Sequence, residues 1–377
     1  MIRFAAVLKT VRFRVFAWVA VLMMASGTFA YAESPINGRT PPPKLYISAD
    51  GVHSIAYNEQ GDVWYWGGMG DFEFSDWKLR DNTPIRMGTM KQIAQVSSNL
   101  FLKKDGTVWT WSAGPAPVDG SDRRLQFQIQ DPVQLDLADV VKVAAGDSFH
   151  SAVKKDGFVW VWRPVPHGYG DTPIQIPNIS DAADIAFANW SGQSKLTIVG
   201  KDGSVWTWEG ATAFGGIAPV KAQRVDGLSN VASVFAGDEC FFAIRKDGSV
   251  WGWRSNLRGQ LGLDEQKIVD SPVRLSALDG MVAIQGSFDR SLGLKKDGTV
   301  WSWGITLYTF PEYGAKIDPS LHQVAGLDNI AAIASGGAHH LAVRSDGTLW
   351  AWGSNENGQL GDGTFRSSDK PIRIDLK

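Results

Sequence analysis

Six histidines and a single cysteine in 377 residues leave few candidates for acid–base, nucleophilic or metal chemistry. His53, His150, His167, His322, His339 and His340 include no His-Glu-x-x-His and no other metal-ligand spacing. His53, His150 and His340 read as one repeated position, where an imidazole would tie a strand to its turn by hydrogen bonding. His339 and His340 are adjacent, and neighbours in a strand point to opposite faces, which argues against joint chelation. Cys240 lies between Glu239 and Phe241 with no cation beside it, the setting of a buried thiol rather than a nucleophile. No Gly-x-Ser-x-Gly elbow, phosphate loop or dinucleotide fingerprint is present. Asp-Gly pairs recur, but without the spaced oxygen ligands of a calcium loop. Scattered carboxylates leave a hydrolase pair open, and nothing in the sequence selects two of them. The expectation is no catalytic residue, no metal ligand and no cofactor.

The elements that carry these residues are set by a repeat. Seven times a Gly turn opens a short segment with two tryptophans one residue apart: Trp64/Trp66, Trp109/Trp111, Trp160/Trp162, Trp206/Trp208, Trp251/Trp253, Trp301/Trp303 and Trp350/Trp352. Fourteen of the 17 tryptophans fall in this motif, so it organises the whole chain. The turn glycines, from Gly61 to Gly347, are 45, 51, 46, 45, 50 and 49 residues apart. A period of that size built from strands indicates a propeller or a related array.

Each repeat reads as four strands. The first ends in small residues, as in Val143-Ala-Ala-Gly146 or Ile333-Ala-Ser-Gly336, and the second runs into an Asp-Gly hairpin whose glycine accepts positive φ. The Trp strand follows. A fourth strand is marked by Pro84, Pro132, Pro173, Pro219, Pro272, Pro319 or Pro371, and proline suits an outer edge where one N–H is not needed. Residues two apart in a strand share a face, so the two indoles project together. The residue between them faces the other way and is often small: Thr110, Thr207, Gly252, Ser302 or Ala351. Bulky faces stacked on hollow ones would fill each junction around a ring, which makes the tryptophans core residues rather than ligand-binding ones.

Residues 1–32 read as an export signal. Arg3, Lys9, Arg12 and Arg14 precede the apolar run from Val15 to Ala25, and Ala30-Tyr31-Ala32 offers a cleavage site before Glu33. The alternative is an uncleaved anchor, against which stands an apolar run shorter than the roughly 20 residues of a spanning helix. Pro41-Pro42-Pro43 makes residues 33–44 a Pro-rich linker. Without the signal, 33 Lys and Arg face 39 Asp and Glu, a net charge of −6. Duplex nucleic acid favours a basic face, so it is not an expected partner. One cysteine permits no internal disulfide.

The repeats resemble those of the regulator of chromosome condensation family. The last copy carries the strand His339-His340-Leu-Ala-Val, the Asp346-Gly347 turn, Trp350-Ala-Trp352-Gly353 and the loop Asn355-Glu-Asn-Gly358-Gln359-Leu360-Gly361-Asp-Gly363. A second good copy of the loop is Asn256-Leu-Arg-Gly259-Gln260-Leu261-Gly262. The resemblance covers about Lys44 to Lys377, losing the loop motif after the first, second, third, fourth and sixth Trp strands. It implies an all-β fold, a seven-bladed β-propeller of four-stranded antiparallel blades over 45–377. Founding eukaryotic members are similar to nucleotide-exchange factors for a nuclear GTPase, whereas secreted bacterial propellers of this type resemble protein inhibitors of β-lactamases and cell-wall transpeptidases.

In an up-and-down blade, the loops after the first and third strands emerge on one side and the Asp-Gly hairpins on the other. The first side collects Phe72, Phe74, Trp77, Asp147, Tyr169, Trp190, Asp238, Glu239, Asp289, Arg290, Tyr308, Phe310 and Tyr313. Aromatics interleaved with charges match the make-up of protein interfaces, although some of these loops could instead plug the central channel. The expectation is a monomeric, exported, non-enzymatic propeller that binds a protein or cell-envelope component through this face. The alternatives are exchange-factor-like activity on a small GTPase and an envelope hydrolase using a carboxylate pair.

Overall fold

Seven four-stranded antiparallel sheets are formed, each by one contiguous stretch of chain in the order first to fourth strand. They are blade 1 (45–89), blade 2 (93–134), blade 3 (140–175), blade 4 (182–224), blade 5 (231–274), blade 6 (281–323) and blade 7 (330–374). The structure is a computed structural model. It describes residues 45–376 except 69–79, 111–112, 116–126, 130–131, 147, 165–171, 191–192, 211, 214–215, 218–219, 238, 288–289 and 306–316. The expected signal and linker, residues 1–44, lie outside the described residues. A 3-10 turn, Ser276–Leu278, is the one helical element among the described residues, and no described helix is long and apolar enough to cross a membrane.

The hairpins form where the sequence places them. Their glycines sit at φ between +81° and +90°, a region that costs a side-chain-bearing residue free energy. Asp105, Asp202, Asp247, Asp297 and Asp346 each accept a hydrogen bond from the N–H two residues on, which fixes the turn from within. Pro84, Pro272, Pro319 and Pro371 lie in outermost strands whose register is interrupted. Pro132 and Pro173 immediately precede the outer strands Val133–Gln134 and Ile174–Gln175, and Pro219 lies outside the described residues.

The paired indoles share a face but not a depth. Trp66, Trp162, Trp208, Trp253, Trp303 and Trp352 are buried, and each packs on the preceding blade. Trp208 meets Phe149 edge to face at 5.2 Å, and Trp303 meets Phe242 at 6.3 Å. Trp66 of blade 1 joins Ala332, Leu341 and Val343 of blade 7, so the same contact closes the ring. Trp111 lies outside the described residues.

Nearer the hairpin end, Trp64 of blade 1 is buried too, but Trp109, Trp160, Trp206, Trp251, Trp301 and Trp350 are only half-buried, so the expectation of core tryptophans holds for the second of each described pair and for the first only in blade 1. There Lys103, Lys154, Arg245, Lys295 and Arg344 lie 4.0–4.9 Å from the ring centroids of Trp109, Trp160, Trp251, Trp301 and Trp350. In five blades the indole N–H donates to the turn's Thr or Ser hydroxyl. The first indole therefore braces its own hairpin, and the second joins two blades.

Candidate partner-binding face

Antiparallel order puts the loops after first and third strands on one side of the ring, and hairpins and blade-to-blade crossovers on the other. Two of the seven loops after third strands have a fully determined job. In blade 5, the Asn256 side chain accepts from the Leu261 N–H and donates to the carbonyls of Leu263 and Glu265. Asn355 does the same in blade 7 with Leu360, Thr364 and Arg366. Each loop so shaped offers a glutamine carbonyl to the next blade. Gln260 O accepts from Ser291 Oγ at 2.8 Å and Trp303 Nε1 at 2.7 Å; Gln359 O accepts from Ser54 Oγ and Trp66 Nε1, both at 2.9 Å. Leu261 and Leu360 plug the hollow over Gly252 and Ala351. The loop motif is thus an inter-blade clamp. The sequence displayed the motif, and its partners Ser54, Trp66, Ser291 and Trp303 were not recognisable as such.

A two-stranded hairpin, Ala113–Pro115 with Phe127–Ile129, rises from the blade 2 loop, and a shorter one, Thr212–Ala213 with Gly216–Ile217, from that of blade 4. Of the expected partner-binding residues, Phe72, Phe74, Trp77, Asp147, Tyr169, Asp238, Asp289, Tyr308, Phe310 and Tyr313 lie outside the described residues. Trp190 ends the first strand of blade 4, paired in register with Gln193. Glu239 is half-buried at φ +64° in the turn between the first two strands of blade 5, its carbonyl accepting the Ser255 N–H at 3.0 Å. Arg290 opens the second strand of blade 6 and its guanidinium donates to the Ile305 carbonyl, so it props its own third strand. Glu209 of blade 4 bridges Lys195 at 2.6 Å and Arg254 of blade 5 at 3.0 Å on this same side.

The histidines need a correction. Counted back from the turn glycine, His53 matches His339, while His150 and His340 match Ser54; the registers His150 with Trp162, His340 with Trp352 and Ser54 with Trp66 confirm this offset. The expected common bond between strand and turn does not recur. His340 Nδ1 meets Ser335 Oγ at 2.9 Å, His339 Nε2 meets Ser54 Oγ across the blade junction at 2.8 Å, and His150 packs edge-on to Trp162. Burial is the largest cause pushing His150 down to about 4 and His339 and His340 down to about 3, with His53 adding to the effect on His339.

The Ser54–His339 contact does not make a nucleophile. Ser54 has one hydroxyl proton and donates it to the Gln359 carbonyl, so His339 must donate to the serine oxygen rather than accept from it. Both side chains are fully buried. Among the described residues, no group of three or more His, Cys, Asp or Glu could hold a metal ion.

A charged pair sits deeper, on the first strands. Lys142 of blade 3 and Asp184 of blade 4 form a buried ion pair, and Asp184 also accepts from the N–H groups of Ile185 at 3.0 Å and of Val234 in blade 5 at 3.1 Å. Burial lowers the lysine and raises the aspartate against their mutual attraction. The preceding blade places Gln95 at the same position, bonding both the N–H and the carbonyl of Val143.

Residues 330–359 and 346–377 match the regulator of chromosome condensation (RCC1) repeat. Residues 330–377 carry the regulator of chromosome condensation repeat. A curated relative, the RCC1 domain-containing protein RUG3, mitochondrial, of Arabidopsis thaliana, is 27% identical over 129 residues, 32% of this chain and 29% of that protein. The matched stretch thus spans less than a third of the plant relative. Among solved structures, yeast RCC1 (Prp20), seen bound to Kap60, shares 20% identity at a TM-score of 0.56 over 88% of this chain and 74% of its own. Human WBSCR16 shares 16% at 0.54 over 94% and 90%. At these identities the likeness establishes the propeller fold.

Proposed function

We propose that this chain is an exported, non-enzymatic propeller that binds a protein or cell-envelope component, as a monomer, through the loop face. The supporting observation is a division of labour at one structural position. The loops after the third strands of blades 5 and 7 are committed to clamping the next blade. Those of blades 1, 2, 3, 4 and 6 lack the clamp sequence, and three of them carry Phe72, Phe74 and Trp77, Tyr169, or Tyr308, Phe310 and Tyr313. Freed from holding the ring, such loops can vary in length and present aromatic anchors on a rigid scaffold. The basic start, apolar run and Ala30-Tyr31-Ala32 of the N-terminus support export, and the acidic balance beyond it disfavours nucleic acid. A structural neighbour, yeast RCC1 (Prp20), is seen bound to another protein, Kap60.

Affinity capture from envelope extracts with residues 33–377 should isolate the partner. Replacing Trp77, Trp190 and Tyr308 by alanine together should then weaken its binding by more than about 1 kcal/mol per anchor. A folded triple variant with unchanged affinity rejects this face. Accelerated nucleotide release from a small GTPase, or turnover of an envelope glycan, would replace the binding reading with one of its rivals.

A further inference from the structure

The seven blade junctions are not alike. Six are crossed by the chain itself, which passes from each fourth strand into the first strand of the next blade. Among the described residues no such crossing links blade 7 to blade 1, and no strand is shared between blades.

Besides the packing of Trp66 on blade 7, the loop of residues 354–363 joins these two blades. It leaves the third strand of blade 7 and lies across three strands of blade 1. Its Gln359 carbonyl takes Ser54 of the second strand and Trp66 of the third. Gly363 exchanges two bonds with Asn82 of the fourth, N–H to carbonyl at 2.7 Å and Asn82 Nδ2 to the Gly363 carbonyl at 2.9 Å. The loop fits only because its glycines are bare. A Cβ on Gly358 would come within 2.7 Å of Asn82 Cα, and one on Gly361 within 2.8 Å of the Trp66 indole. Both glycines also hold positive φ, +79° and +75°. On the rim near the channel, the Gly337 N–H reaches the Gly51 carbonyl at 2.8 Å and His339 reaches Ser54.

The blade 5 loop makes the same two bonds to blade 6, but there the chain crosses the junction as well, through residues 275–280. Identical chemistry therefore meets different demands. Losing a clamp where a covalent crossing remains leaves the blades tethered; losing it at the blade 7–blade 1 junction leaves side-by-side packing and the rim contacts of Gly337 and His339. We propose that the 354–363 loop is the clasp that closes the propeller ring, and that the blade 7–blade 1 junction is where the ring opens first. Local opening of this kind is a sub-global event, read by hydrogen exchange rather than by global unfolding.

Matched variants test this in the full chain. Ser54→Ala/Trp66→Phe removes both donors to Gln359, and Ser291→Ala/Trp303→Phe removes both donors to Gln260. Under native conditions, the first pair should accelerate exchange in Leu45–Asp50 and Ile330–Ser335 at least tenfold over other inner strands. The second pair should leave Val231–Ala236 and Met281–Gly286 within about threefold of the parent protein. The single variants Trp66→Phe and Trp303→Phe, which keep Ser54 and with it the His339 contact, should show the same asymmetry and separate the clamp from that contact. Equal acceleration at the two junctions, or none at the blade 7–blade 1 junction, overturns the proposal.

Discussion

Asp184→Leu should lower the unfolding free energy by about 3–5 kcal/mol, because it strands the Lys142 ammonium in a site with no other counter-charge shown to reach it. The large effect comes from the unpaired charge rather than from the strength of the ion pair, which must offset two desolvation penalties. Removing both charges separates these contributions. Lys142→Met/Asp184→Leu should recover most of the loss, leaving about 1–3 kcal/mol for the Val234 and Ile185 N–H groups that lose their acceptor. Urea unfolding of the parent, the single and the double variant measures all of this. A single variant within about 1 kcal/mol of the parent would show that water reaches Lys142 and that the junction between blades 3 and 4 is looser than described.

Acid should unfold the protein early. His150, His339 and His340 are held at about 4, 3 and 3 in the folded chain, below the 6.5 of a free imidazole. The unfolded chain therefore binds more protons below pH 6.5, and stability must fall with acid there. The contribution is complete above pH 6.5 and is lost progressively as pH drops toward the folded values. Each histidine gives a slope of up to about 1.4 kcal/mol per pH unit, so three give about 4. Between pH 6.5 and pH 4 the loss is on the order of 10 kcal/mol, comparable with the whole stability of a typical domain. Urea midpoints followed from pH 8 to pH 4.5 should be flat at first and then fall steeply below pH 6.5. A flat profile down to pH 5 would mean that at least two of these imidazoles are solvated or protonated in the fold.

The seven blades were legible because each hairpin announces itself locally. A positive-φ glycine, in six blades a preceding Asp, and an alternating Trp strand are properties of seven adjacent residues, and the outer prolines are equally local. Depth was not legible. Period-two alternation assigns Trp301 and Trp303 to one face, yet only position along the strand decides that Trp303 is sealed by the neighbouring blade while Trp301 stays half-open beneath Lys295. The clamp was visible as a motif and opaque as a contact, since Ser54 and Gln359 are 305 residues apart and meet only when the ring closes. Lys142 and Asp184 could have been found by stacking the repeats, because Gln95, Lys142, Asp184 and Ser233 each follow the unpaired bulge residue of a first strand. His53 was misaligned for the converse reason: a His-Ser pair recurs one residue out of phase with its hairpin. The loops proposed for recognition obey no repeat, so periodicity has nothing to say about where their aromatics go.

The account rests on the loops of one side that do not clamp a neighbouring blade being the recognition surface, with the hairpins of the other side bracing the blades. Hydrogen-exchange footprinting of the captured complex compares the two sides in one experiment. Protection on complex formation should concentrate in residues 69–79, 165–171 and 306–316, with the hairpins at 104–106, 155–157 and 296–298 exchanging as in the free protein. Protection confined to those hairpins, with the three loops unchanged, would contradict it.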